Sequence, residues 1–196
     1  MRIALGIEYE GGNYAGFQRQ TTLKTVQGEL ERALSIVADE KIELQCAGRT
    51  DAGVNSTGQT VHVDLDKTIV ASRFIKSINA LLPKDISISD LQEVDETFHA
   101  QKSAKKRHYR YVFLNREQRK AFDGDLLRVE NELNLERMNE ALSYLVGEHD
   151  FTSFKNSGSS NPHTVCEIYE ANCWRNDDMI IVDIVGNRFL YNMVRI

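Results

Sequence analysis

Apolar residues in this chain recur at every second position in some stretches and at every third or fourth in others, and the two periods alternate along its length. "RIALGIEYE" puts Ile3, Leu5, Ile7 and Tyr9 on one side, the spacing of a strand with one buried face. "TVQGELERALSIVADE" places Val26, Leu30, Leu34 and Val37 at helical spacing, with Thr25 positioned as an N-cap. "KIELQCAGR" predicts a second strand, and "GQTVHVDL", alternating Val61, Val63 and Leu65, a third. "ASRFIKSINALLP" predicts a helix closed by Pro83, and "ISISDLQEV" and "KKRHYRYVFLN" two further strands. "NLERMNEALSYLVGEHD" reads as a helix with Leu135, Met138, Leu142 and Leu145 inward. "TVCEIYEANCWR" and "MIIVDIVG" flank "NDD" as a hairpin. "RFLYNMVRI" opens a last helix with Phe189, Met193 and Ile196 on one side. The order strand, helix, strand, strand, helix, strand, followed by a similar set, predicts an α+β fold with mostly antiparallel sheets and helices packed on one side. With two prolines and no low-complexity stretch there is no obvious linker. A boundary near Ala104 gives halves of 1–104 and 105–196. The sequence stops inside its last apolar pattern and reads as a fragment whose second half is incomplete.

Composition narrows the function classes. The 196 residues are 41% apolar and 8% aromatic, enough for a packed core. No apolar run approaches the roughly 18 residues of a membrane-spanning helix, and "MRIALGIEYEGG" lacks the features of a signal peptide. Three cysteines without CxxC spacing, and five histidines without HxxxH or HExxH, predict a reduced cytoplasmic protein with no metal site. The net charge of −5 argues against generic nucleic-acid binding, but its distribution does not. Residues 98–128 carry nine Lys or Arg against three acids, while the rest of the chain has fifteen basic and twenty-six acidic residues. A basic segment on an acidic body is the footprint of a local polyanion site, or a solvated charged strand and turn.

Two stretches carry candidate chemistry. In "CAGRTDAGV", Arg49 and Asp51 lie two apart, bracketed by Gly48 and Gly53. If the strand of Cys46 continues into the loop, both side chains project from one side. An ionised carboxylate there can act as nucleophile, general base or metal ligand; it can also be an ordinary turn residue held by arginine. The loop is not a P-loop, a GxSxG elbow or a metal-deaminase motif, and no second carboxylate converges by spacing. That points to cofactor-free covalent or acid–base chemistry. In "KKRHYRYVF", Tyr109, Tyr111 and Phe113 share one strand face, His108 and Arg110 the other. Tyr109 stacking on an unpaired base, with phosphate contacts from Lys105, Lys106, Arg107 and Arg110, is one reading; an aromatic stripe facing the core is the other.

Taken together and in order, "YEGGNYAGFQRQ", "TVQGELERAL", "AGRTDAGV", "GQTVHV", "NALLPKDI", "FHAQKSAKKRHYRY", "HDFTSF" and "FLYNMVR" resemble the tRNA pseudouridine synthases of the A type over the whole chain. The resemblance implies the pseudouridine synthase fold, with two similar α/β halves flanking a central basic cleft. It implies a cofactor-free isomerase that breaks the glycosidic bond of a uridine and rejoins ribose to C5 of the same uracil, at positions 38, 39 and 40 of the tRNA anticodon stem-loop. It implies Asp51 as the nucleophile, Tyr109 as the tyrosine stacked on the flipped uracil, Arg49 as a residue that helps hold the nucleotide, and Arg195 as a basic partner of the aspartate. It also implies a homodimer. Three positions depart from the family pattern: Asn55 stands where histidine is usual, and Gln101 and His163 where arginine is common, so tRNA contacts are expected to be weaker or differently spread. A non-catalytic RNA-binding module, or an inactive fragment of such an enzyme, would keep the basic segment but would not need Asp51, Arg49 and Tyr109 together. A nucleotide-binding enzyme with "GGNYAG" as phosphate cradle would want a Lys or Ser/Thr at a helix start, which is missing.

Overall fold

The computed structural model describes residues 1–121, 124, 126–156 and 162–196. Asp123 and Asp125, two of the three acids in the basic segment, lie outside the described residues. The chain divides into two compact units, Met1–Ala104 and Lys105–Ile196.

In the first unit the elements are β1 (Arg2–Tyr9), α1 (Val26–Ala38), β2 (Gln45–Cys46), β3 (Ser56–Asp64), α2 (Ala71–Leu81), β4 (Ile86–Val94) and the single helical turn α3 (Ala100–Ser103). The four strands form one antiparallel sheet in the order β2-β3-β1-β4. The alternation in β1 does what its period predicts: Ile3, Leu5, Ile7 and Tyr9 are all buried, as are Val61 and Val63 of β3. Val26, Leu30 and Leu34 of α1 and Phe74 and Ile78 of α2 share one core with these strand residues. Thr25 caps α1 by accepting the Gly28 N–H at 3.2 Å, and Asp39 ends the helix in the left-handed conformation at φ 53°. The predicted strand over "KIELQCAGR" is reduced to Gln45–Cys46. Ile42 and Leu44 before it are buried without joining the ladder.

In the second unit the elements are β5 (Arg107–Asn115), β6 (Leu127–Val129), α4 (Leu135–Ser143), β7 (Gly147–Asp150), β8 (Val165–Asn176) and β9 (Met179–Gly186). Their sheet order is β6-β5-β9-β8-β7, antiparallel except for the β5–β6 pair. The predicted hairpin is β8–β9, turned through Asp177 at φ 52°. Leu135, Met138 and Leu142 of α4 pack against Phe113, Cys173 and Ile180. The predicted helix over "NLERMNEALSYLVGEHD" is shorter than its apolar pattern. It stops at Ser143, and "GEHD" becomes β7. The predicted last helix does not form: Asn192 takes φ 58°, and residues 191–195 are turns. Met193 is buried there and Ile196 is 61% exposed, yet Phe189, Met193 and Ile196 still line one groove without a helix to carry them. Among the described residues, no helix is long and apolar enough to cross a membrane.

Candidate active site

Asp51 lies in the loop joining β2 to β3, not on an extension of β2. The alternation argument that set Arg49 and Asp51 on one side therefore lapses: both sit in irregular backbone, Asp51 half-buried and Arg49 exposed. What shapes the loop is a set of attachments. At its first end the Ala47 N–H donates to Thr60 O at 2.8 Å, and Gln59 Nε2 donates to Gly48 O at 2.7 Å. In the middle, the Phe17 N–H donates to Thr50 O at 3.0 Å, and the Tyr9 and Thr50 hydroxyls lie 2.8 Å apart. At the far end the Gly11 N–H donates to Asn55 Oδ1 at 2.8 Å. Gly53, at φ 77°, closes a tight turn in which the Val54 N–H donates to Asp51 O at 3.2 Å. Thr50 and Asn55 are thus pinned on either side of the half-buried Asp51.

Two of the three glycines of "GGNYAG" have a clear task here. A Cβ on Gly11 would come within 2.2 Å of Val54 O. One on Gly16 would meet Thr50 O at 3.0 Å, and Gly16 is also at φ 98°. Their missing side chains let the segment after β1 lie directly against the loop of Asp51, so this stretch packs on backbone and does not open as an anion cradle. Arg49 is close enough to Cys46 to favour its thiolate, but burial dominates and pushes that thiol's pKa up, so Cys46 stays protonated at neutral pH. Among the described residues, no three His, Cys, Asp or Glu side chains group as a metal site.

Tyr109 and its neighbours belong to the second unit. Tyr109 packs edge-on against Phe189 with ring centroids 4.9 Å apart. Arg107, on the same strand face, donates Nη1 to Asn187 O at 2.6 Å. On the opposite face Arg110 forms a two-pronged bond to Asp183 at 2.8 and 2.8 Å, and lies 5.3 Å from the Trp174 ring centroid. His108 Nε2 is 3.1 Å from the same carboxylate. The Arg110 hydrogen bond, opposed by burial and helped by His108, holds Asp183 below the usual carboxylate range. So Arg107 and Arg110, which the sequence groups as phosphate contacts, point to opposite faces of β5. Lys106 Nζ stands 5.3 Å from the Tyr169 ring centroid, and Lys105 is exposed. Arg195 is exposed in the terminal turns, where its N–H donates to Asn192 O at 2.9 Å. With Phe189 and Met193 it lines an apolar groove of about 490 Å³, so Arg195 and the ring supporting Tyr109 share one region. Of the three departing positions, Gln101 donates its N–H to His99 Nδ1 at 3.2 Å, and His163 O accepts from Arg188 Nη2 at 2.7 Å. Asn55 accepts the Gly11 N–H, within the surroundings of the Asp51 loop.

Sequence reasoning missed Tyr9, Gly11, Gly16 and Asn55 as supports of the Asp51 loop. Tyr9 read as an ordinary core position, and Asn55 reaches a backbone N–H 44 residues away, a relation that no spacing rule reports.

A profile of the tRNA pseudouridine synthase family matches residues 6–102 and 141–196. A tRNA pseudouridine synthase A of Colwellia psychrerythraea is 43% identical over 196 residues, covering all of this chain and 76% of the relative. Those of Shewanella amazonensis and Vibrio parahaemolyticus are each 44% identical, over 200 and 196 residues, covering all of this chain and 75% and 74% of the relatives. The profile match passes over residues 103–140, which hold Tyr109 and the four cations around it. The pairwise matches include them.

Proposed function

This chain belongs to the tRNA pseudouridine synthase family, and from that premise we propose that it converts uridine to pseudouridine in tRNA, at positions 38, 39 and 40 of the anticodon stem-loop, with Asp51 as the nucleophile. The reaction breaks the bond from uracil N1 to ribose C1′ and joins C1′ to C5 of the same ring. The C5 proton leaves, N1 gains one, and nothing else is exchanged. It needs the uridine out of its stack, at an unstacking cost of a few kcal/mol. Tyr109, braced by Phe189, offers the stacking face that offsets this cost. Arg49 helps hold the extruded nucleotide, and Arg195 is the basic partner of the aspartate. Lys105, Lys106, Arg107 and Arg110 contact phosphates, which position the RNA without reading its sequence. The protein acts in the cytoplasm, where its tRNA substrate is, as a homodimer.

The observation that carries this reading is the pinning of the Asp51 loop, through Thr50 on one side and Asn55 on the other. A carboxylate that must meet one carbon atom needs a fixed backbone; a turn residue does not. The test is tRNA labelled with tritium at uracil C5, with carbodiimide mapping of the product. Tritium release with new adducts at 38, 39 or 40 supports the reading. Release with adducts elsewhere overturns the position, and no release overturns the activity.

A further inference from the structure

A second arrangement in the first unit is not used by these roles. The strip that follows Gly16 runs from the Asp51 loop onto the start of α1. The Phe17 N–H bonds to Thr50 O at 3.0 Å on one side. On the other, the Val26 and Gln27 N–H groups donate to Gly16 O and Phe17 O at 3.3 and 2.9 Å. Residues 18–24, "QRQTTLK", then stand exposed, with two cations and no acid. Within them Arg19 is held at both ends. Its backbone N–H donates to Gln27 Oε1 at 3.0 Å, and its Nη1 donates to Glu31 Oε2 at 2.9 Å.

Glu31 is buried, only 5% exposed, although it is a carboxylate. Its Oε1 accepts Gln27 Nε2 at 2.8 Å and the Leu44 N–H at 3.1 Å, which leaves Oε2 for Arg19. A carboxylate is retained inside a core only when donors saturate it, so Glu31 is a fixed anchor. The Arg19 side chain is 52% exposed on its other side. A guanidinium has five N–H donors in a rigid fork; Glu31 accepts one of them, no other hydrogen bond of the Arg19 side chain is seen among the described residues, and the Glu43 carboxylate, already paired with Lys41, also feels the Arg19 charge. An ordinary surface ion pair contributes little and lets both side chains swing. This one holds a half-exposed cation on the strip that abuts the Asp51 loop.

Resting on the tRNA reading above, we propose that Arg19 is a tRNA-backbone contact beside the Asp51 loop, oriented by Glu31 and giving its remaining donors to a phosphate oxygen. Lys24, at the end of the same strip, has Nζ 4.8 Å from the Tyr14 ring centroid and lies near Asp85. Arginine suits the position because its planar fork can bond carboxylate and phosphate at once.

The experiment measures tRNA affinity over a salt series for the wild type, Arg19→Gln and Arg19→Lys, with thermal unfolding and turnover at saturating tRNA alongside. Arg19→Gln weakens binding by roughly 3- to 10-fold, lowers the salt slope by about one, and does so equally across tRNA sequences. Turnover at saturation stays within about two-fold, because a phosphate contact acts in binding. Arg19→Lys keeps the slope and most of the affinity. A wild-type slope in Arg19→Gln overturns the proposal. So does a lowered unfolding midpoint in both variants with an unchanged slope, which makes Arg19 only a structural tie for Glu31. If the wild type binds tRNA but forms no pseudouridine, the enzymatic reading fails while the Arg19 result still stands on binding alone.

Discussion

Asn55 is a position where this chain departs from the pattern it otherwise resembles, and its side chain has a physical task. Its Oδ1 accepts the Gly11 N–H at 2.8 Å, tying the end of the Asp51 loop to the segment after β1. The bond needs an acceptor and nothing titratable, which an amide supplies. Asn55→Leu removes that acceptor and leaves the Gly11 N–H unpaired, at a cost of about 1–3 kcal/mol if the group stays dry. Turnover is predicted to fall about ten-fold with KM for tRNA little changed, whereas Asn55→Asp, which still accepts, keeps most of it; equal losses in the two variants would show that the bond does not position the loop. Tyr109 is predicted to behave differently from a binding residue. On the proposed role Tyr109→Ala removes the stacking face, and single-turnover rate is predicted to drop much more than affinity. Equal losses in rate and affinity would remove Tyr109 from the base-stacking role. At this scale the motif residues were legible as types in a pattern. Their supports were not, because Tyr9, Gly11 and Asn55 act through contacts with backbone far away in sequence.

Among the elements, β1, β3 and α1 were legible because period and burial agree: every second residue of β1 from Ile3 to Tyr9 is buried. The failures have local causes. The strand expected before Asp51 contributes only Gln45–Cys46 to the ladder, and Ile42 and Leu44 are buried without strand pairing. The last apolar pattern is broken by Asn192 in the left-handed region, a conformation that the periodicity of its neighbours does not report. The turn α3 is held to β3 by His62, whose Nδ1 accepts the Ala100 N–H at 3.1 Å. The ring also meets Phe98 and His99, with Arg2 and Asp64 as the charged groups nearby. Burial first, then Arg2 and His99, lower its pKa below the ordinary 6.5, against an opposing pull from Asp64. The unfolded chain therefore binds this proton more readily than the folded one. Stability from His62 is complete above the unfolded value of about pH 6.5 and is lost as pH falls from there through the lower folded-state pKa. Urea midpoints of the wild type are predicted to fall between pH 7.5 and 5.5 more steeply than those of His62→Asn. Parallel curves would mean that His62 does not control the change.

For the whole molecule, the charge distribution separates two tasks. Nine cations fall in residues 98–128 of a chain of net charge −5, and Asp51 lies outside that segment. Arg110 pairs with Asp183, Arg116 and Lys120 with Asp178 and Arg128 with Glu130, so on the proposed function the long-range attraction for tRNA falls mainly to the remaining cations. Affinity and chemistry should then be separable by mutation, because phosphate contacts carry most of the binding energy. The α+β class followed from the alternation of periods, and family membership from the ordered motifs. What each site residue does in turnover is decided by chemistry with RNA. The most direct measurement is therefore pseudouridine formation by Asp51→Ala beside the wild type, with tRNA affinity determined on the same preparations. Loss of pseudouridine to background, with affinity within a few-fold of wild type, is the predicted result. Continued conversion of uridine by Asp51→Ala would contradict it.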